Sequence, residues 1–168
     1  MIRITITGQR TGGKGLLYEQ LEQKGRTALV PTYAASALCL PTGACFNFAV
    51  IRDSSATIFH GKPKGNRYDE HGECPPCGGT PYVGVVRMSV SKGFRVEFFE
   101  PEYHKTKGLV GQGRIIRENM QIHVGAACSH GCILVAGRRR LYPKVFVNPL
   151  KAMLKHTSLI EVIVEPRD

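Results

Sequence analysis

At 168 residues, with 42% hydrophobic side chains, the chain has the length of one domain and enough apolar material to bury a core. That excludes a disordered or collagen-like polymer. Lys and Arg number 23 against 13 Asp and Glu, a net charge of +10; such a surplus suggests an anionic partner, nucleic acid first and bacterial cell wall second, beside the plainer reading of a basic surface with no specific partner. The basic residues are scattered apart from Arg138, Arg139 and Arg140, with no Lys/Arg stripe and no interleaved aromatics. A stacking platform for nucleic acid needs both, so no specific nucleic-acid partner is expected.

The opening MIRITITGQR lacks the apolar run and small-residue cleavage site of a signal peptide. Its alternating Ile2, Ile4 and Ile6 predict a half-buried strand. Gly12, Gly13 and Gly15 predict a turn, and the GGKG there lacks P-loop spacing. Residues 16–21 read as a strand in preference to a short helix. Residues 26–33 read as another strand, interrupted at Pro31. The uncharged run 28–51 is broken by Pro31, Pro41, Gly43 and Asn47, so it predicts strands and turns and no membrane span. Leu40-Pro41-Thr42-Gly43 is a turn by composition. Phe46, Phe48 and Val50 then predict a strand, with residues 57–59 as the return strand of a hairpin across Asp53-Ser54-Ser55. Residues 60–81, rich in Gly, Pro and charge, exceed an ordinary connection and are expected to form a functional loop over a site or a mobile insertion.

Val86, Met88 and Val90, a turn at Lys92-Gly93, and then Phe94, Val96 and Phe98 make the clearest hairpin. Residues 101–114 read as a loop, and residues 115–124 end in a strand that delivers His123. Asn148-Pro149 predicts a helix start, with Asn as N-cap and Pro in the first helical position. Leu150, Met153 and Leu154 form its apolar face, and Ile160, Val162 and Val164 a closing strand. About eight short strands, one helix and no second-domain boundary predict a mostly β, closed or sandwiched fold, a single domain over residues 1–168.

The chemistry concentrates in Ile122-His123-Val124-Gly125-Ala126-Ala127-Cys128-Ser129-His130-Gly131-Cys132-Ile133-Leu134-Val135. A thiol is activated by a neighbouring imidazole. Gly131 leaves room for substrate beside the sulfur, and the backbone N–H groups of such a turn can hold an oxyanion. The apolar residues 133–135 would root Cys132 on a buried strand. Cys128 reads as a small buried residue or a resolving thiol. Cys39 and Cys45 read as core or turn residues, or as one disulfide in an oxidising compartment.

Ser129-His130-Gly131-Cys132-Ile133 resembles the S-H-G-C signature of L,D-transpeptidases, the YkuD-like catalytic domains. Ile122-His123-Val124-Gly125 is similar to the I-H-x-G element upstream of that signature, and Leu40-Pro41-Thr42-Gly43 with 46–50 resembles a hairpin opening of the family. The resemblance implies an L,D-transpeptidase-like β-sandwich or barrel with one C-terminal helix followed by a closing strand. It implies a cysteine acyl transferase or L,D-carboxypeptidase acting on tetrapeptide stems of peptidoglycan, with no metal or organic cofactor. In that reading Cys132 is the nucleophile and His123 the base. His130 and Gly131 line the acyl pocket and oxyanion region, and Ser129 supports the turn. Action at the wall or in the periplasm follows, in the producing cell or a target cell, as a phage-type enzyme or a delivered antibacterial effector with a delivery or immunity protein as partner.

Two features depart from the family. Only eight residues separate His123 from Cys132, and Leu134 stands where many members place an Arg. Arg138, or one of Arg139, Arg140 and Arg114, would have to hold a substrate carboxylate; Arg138 is chosen. Two other classes stay open at this point. One is a zinc module using Cys74, Cys77 and the Cys128–Cys132 cluster, with His71 and His130 nearby. The other is a basic nucleic-acid-binding protein. The remaining histidines lie in polar loops or, for His156, at a helix end.

Overall fold

Ile2, Ile4 and Ile6 are fully buried while Arg3, Thr5 and Thr7 between them are partly exposed. They lie on one wall of a closed barrel, whose strands follow the order β1-β2-β3-β7-β6-β5-β4-β8. The computed structural model describes residues 1–20, 24–61, 73, 76–77, 79–89, 93–101, 120–124 and 132–168. The strands are β1 (Ile2–Tyr18), β2 (Thr27–Cys39), β3 (Cys45–Ile51), β4 (Tyr82–Ser89), β5 (Gly93–Phe99), β6 (Met120–His123), β7 (Ile133–Val135) and β8 (Ile160–Val164). The described residues also include two short α-helices, α1 (Ser55–His60) and α2 (Asn148–Leu154), with a 3-10 turn at Arg139–Leu141 and a wide helical turn at Pro143–Val147 leading into α2. The mostly β class, the closed architecture and the C-terminal helix followed by a strand agree with the sequence pattern. Neighbouring strands are antiparallel except for β1 with β8 and β6 with β7. An eight-stranded barrel is just wide enough for side chains to fill it, and here Ile4, Ala37, Val50, Val96, Phe98, Ile122, Ile133 and Val162 do so. No helix among the described residues is long and apolar enough to cross a membrane.

Four local expectations are corrected. The glycines at 12, 13 and 15 do not turn the chain. β1 runs through them with register shifts on either side of Arg10, and Gly12 takes the positive φ of 86° that such an irregularity requires. Pro31 does not interrupt its strand either. It pairs with Lys14 on one side, and β3 ends at Ile51 opposite Thr32, one residue short of it. A proline without an N–H is tolerated where one neighbour has run out. Residues 57–59 are helix, not strand. The Ser54 side chain accepts from the Thr57 N–H at 3.1 Å and Gly61 closes the far end at φ 71°, so cap chemistry at both ends overrides the apolar alternation. Asn148 is not an N-cap. It has helical φ and ψ, and its N–H donates to the Pro143 carbonyl five residues back. This wide turn lets the ring of Pro149 enter a helix already running from Tyr142.

The helical stretch closes one end of the barrel. Phe146 is fully buried there, its ring 4.9 Å from Phe48, 6.1 Å from Phe94 and 6.2 Å from Phe46. The opposite end, where β3 and β8 run out, is closed by charge. Arg52 and Glu73, each 1% exposed, form a bidentate pair with both contacts at 2.7 Å. Arg52 also donates to the carbonyls of Thr7 and Glu165 at 2.7 and 2.8 Å. Arg167 reaches Asp53 at 2.7 Å and Glu73 at 3.3 Å, and both guanidinium groups lie near the Tyr33 ring, at 5.4 and 5.2 Å. Glu73 belongs to the 60–81 stretch expected to be a loop or mobile insertion; at this residue the stretch is anchored in the interior. Cys77, also in that stretch, extends the β4 edge of β8, its N–H donating to the Val164 carbonyl at 3.1 Å.

Candidate functional site

Residues 120–123 and 133–135 are short apolar runs, and the barrel pairs them in parallel with Ile122 opposite Ile133 and His123 opposite Leu134. Met120, Ile122, Ile133 and Val135 point into the main core. Strand alternation therefore places Gln121, His123, Cys132 and Leu134 on the outer face. Leu134 packs there against Leu17, Val30 and Ile51 in a second apolar cluster, which holds β7 in place two residues from the sulfur. Continuing the register by one step sets Cys132 level with Gln121. His123 lies diagonally across, roughly 8 Å away between Cα positions for strands 4.8 Å apart rising 3.3 Å per residue. An imidazole and a thiol on one face at that spacing can meet. The register, continued to Cys132, sets the backbones of the residues expected as nucleophile and base near one another.

The register extends the face to two more strands. Arg95 of β5 is opposite His123 and Glu97 is opposite Gln121; Arg87 of β4 is opposite Arg95. One row across the sheet is Arg87, Arg95, His123 and Leu134. The next is Val85, Glu97, Gln121 and Cys132. Arg87 Nε is 3.5 Å from Glu97 Oε2. Sequence reading missed Glu97, Arg95 and Gln121. The alternation of β5 marks Arg95 and Glu97 as outward-facing, but only pairing with β6 shows what they face.

Cys132 is partly buried, and burial pushes its thiol up to about 11; the Glu97 carboxylate adds to the rise and a main-chain hydrogen bond with Gln121 opposes it. The resting sulfur is therefore a neutral thiol at physiological pH. A thiol in this state would have to lose its proton in the course of any attack.

Ser129, His130 and Gly131, assigned to the turn and the oxyanion region, lie outside the described residues, as do Cys74, Cys128, His71 and Arg114. Arg138 is exposed and follows β7 at the end away from Cys132. Roughly 13 Å of extended chain separates Cys132 from Ala136, and Arg138 lies two residues beyond that, past Gly137 at φ 124°. Among the described residues no group of three or more His, Cys, Asp or Glu side chains could hold a metal ion. The Cys77 thiol is engaged by β8, 3.2 Å from the Val162 carbonyl and 3.3 Å from the Val164 N–H. Cys39, buried, and Cys45, exposed, are both outside any disulfide. His60 pairs with Glu19 at 3.6 Å on the surface. His156 follows α2 and, with Cys45, Phe46 and Met153, lines an apolar pocket of about 330 Å³ at the helical end. Compared with family models, curated proteins and solved structures, the chain matches none of them.

Proposed function

We propose that the protein is a cysteine acyl transferase of the L,D-transpeptidase kind, acting on the tetrapeptide stems of peptidoglycan. The observation that carries this reading is the parallel register of β6 and β7, with Ile122 opposite Ile133 and His123 opposite Leu134; continued one residue to Cys132, it supports a His123–Cys132 pair on one face, in a chain whose S-H-G-C and I-H-x-G elements contain these two residues. In the proposed cycle the His123 imidazole takes the Cys132 proton while the sulfur attacks the carbonyl before a terminal D-amino acid. The tetrahedral oxyanion collapses, the C–N bond breaks, and the leaving amine receives the proton from the imidazolium. The thioester is then opened by an acceptor amine, which forms a new amide, or by water, which leaves a shortened stem. The raised Cys132 value fits concerted proton removal better than a preformed thiolate. The net charge of +10 favours association with the anionic wall.

The test is intact mass after incubation with a carbapenem or a purified tetrapeptide stem, for the native protein and Cys132→Ala. A stable adduct on the native protein alone is the expected result. Adducts on neither, with Cys132→Ala melting like the native protein, would sink the reading; an unfolded Cys132→Ala would make the cysteine a core residue.

A further inference from the structure

Glu97 is the one carboxylate among the described outward positions of β4, β5, β6 and β7. Its neighbours on that face are named by the register. On β4 the facing charge is Arg87; on its own strand it is Arg95; on β6 the facing group is His123; and one residue before β7, on the continued register, it is the neutral thiol of Cys132. Glu97 shares a row with Cys132 and lies diagonal to both Arg87 and His123. It is held low on the barrel surface, its side chain 17% exposed, with Arg87 on the side away from His123. We propose that Glu97 is a positioning residue for His123: its carboxylate orients the imidazole toward Cys132 and stabilises the imidazolium formed when the thiol proton is taken. The inference rests on His123 serving as the base for Cys132.

The physical reason for such a partner is the burial of the sulfur. A thiol held near 11 by burial gives up its proton more readily to a base whose protonated form is stabilised by a nearby anion. The same carboxylate acts directly on the sulfur with the opposite sign, because two negative charges on one row repel. Removing Glu97 therefore produces opposite effects according to which role dominates.

The experiment is iodoacetamide alkylation of Cys132, followed on its peptide by mass spectrometry from pH 5.5 to 8.5. The native protein, Glu97→Gln, Glu97→Asp, His123→Gln and the Glu97→Gln/His123→Gln double variant are compared, each checked by thermal melting. His123→Gln is expected to slow alkylation at pH 7.5 at least tenfold and to abolish the rise centred on imidazole deprotonation. Glu97→Gln should slow it at least threefold and move that rise to lower pH. It should have no slowing effect in the His123→Gln background, and Glu97→Asp should restore part of the rate. If His123→Gln slows alkylation while Glu97→Gln leaves it unchanged or speeds it, the role of Glu97 is overturned and the Cys132–His123 pair stands. If His123→Gln itself has no effect, the pair fails and the positioning role falls with it.

Discussion

Glu73→Gln should be among the most damaging conservative changes in this protein. The substitution keeps the size of the side chain and removes one negative charge from a site where Glu73 and Arg52 are each 1% exposed. Arg52 loses the charge-assisted part of two 2.7 Å contacts, and Arg167 loses its 3.3 Å partner and keeps Asp53. Two guanidinium groups would then share one carboxylate beside the Tyr33 ring. Removing one partner of a buried pair costs about 3–5 kcal/mol, because the remaining charge stays out of water. A domain of this length loses roughly 2–4 °C of Tm per kcal/mol, so the melting temperature should fall by about 6–20 °C. Thermal unfolding followed by circular dichroism, with urea midpoints as a check, measures it. A loss below about 1 kcal/mol, the range of exposed ion pairs, would refute the claim that this cluster closes the barrel end away from the helix.

The Cys132 thiol should titrate with its main rise near pH 11 in alkylation experiments carried to high pH, against about 8.5 for a free cysteine. At pH 7.5 its thiolate fraction is then about 300-fold below that of a free thiol. The folded value lies above the unfolded one, so burial favours the folded state below about pH 8.5 and this contribution is lost as pH rises toward 11. Cys132→Ala should accordingly lose less stability than the native protein between pH 9 and 11; a titration at or below pH 8.5 would show that the sulfur is solvated. At the start of α1, Ser54→Ala removes the 3.1 Å cap to the Thr57 N–H and should cost about 0.5–2 kcal/mol. Ser54→Asp should cost much less, and equal melting of the two variants would remove the cap from the account.

What could be read from the chain in advance was set by periodicity. Strands with one face in the core and one in water carry their own alternation, and 2-4-6, 86-88 with 94-96-98, and 160-162-164 all lie in strands, with Val86 opposite Val96 and Met88 opposite Phe94 as the hairpin pattern requires. Reading failed where a local device competes with alternation. Ser54 and Gly61 make a helix of a segment whose apolar residues look strand-like. Gly12 allows a bulge to be taken for a turn. The Asn148-Pro149 pair carries a helix-start signature inside a helix, because Pro143 had already begun it. Arg52, Glu73, Asp53 and Arg167 gave no warning at all. Their sequence positions are up to 115 residues apart, and nothing in a single charged residue says that it is buried.

The candidate site shows the same division between local and non-local information. Cys132 and His123 stand out in the sequence through the S-H-G-C and I-H-x-G elements that contain them, and a motif alone is a poor guide to geometry in a β protein. Their backbones come near one another because β6 and β7 are parallel neighbours in a register that, continued to Cys132, puts both residues on the outer face. A slip of one residue on β7 would turn Cys132 into the core. That register is fixed from both faces, by Ile122 and Ile133 inside and by Leu134 against Leu17, Val30 and Ile51 outside. Leu134 therefore does structural work at a position where an arginine would have to break the outer cluster. Glu97 and Arg95 enter the same face from β5 through a pairing that no local pattern encodes. The chemistry available to Cys132 depends on these strand neighbours as much as on the motif in which it sits.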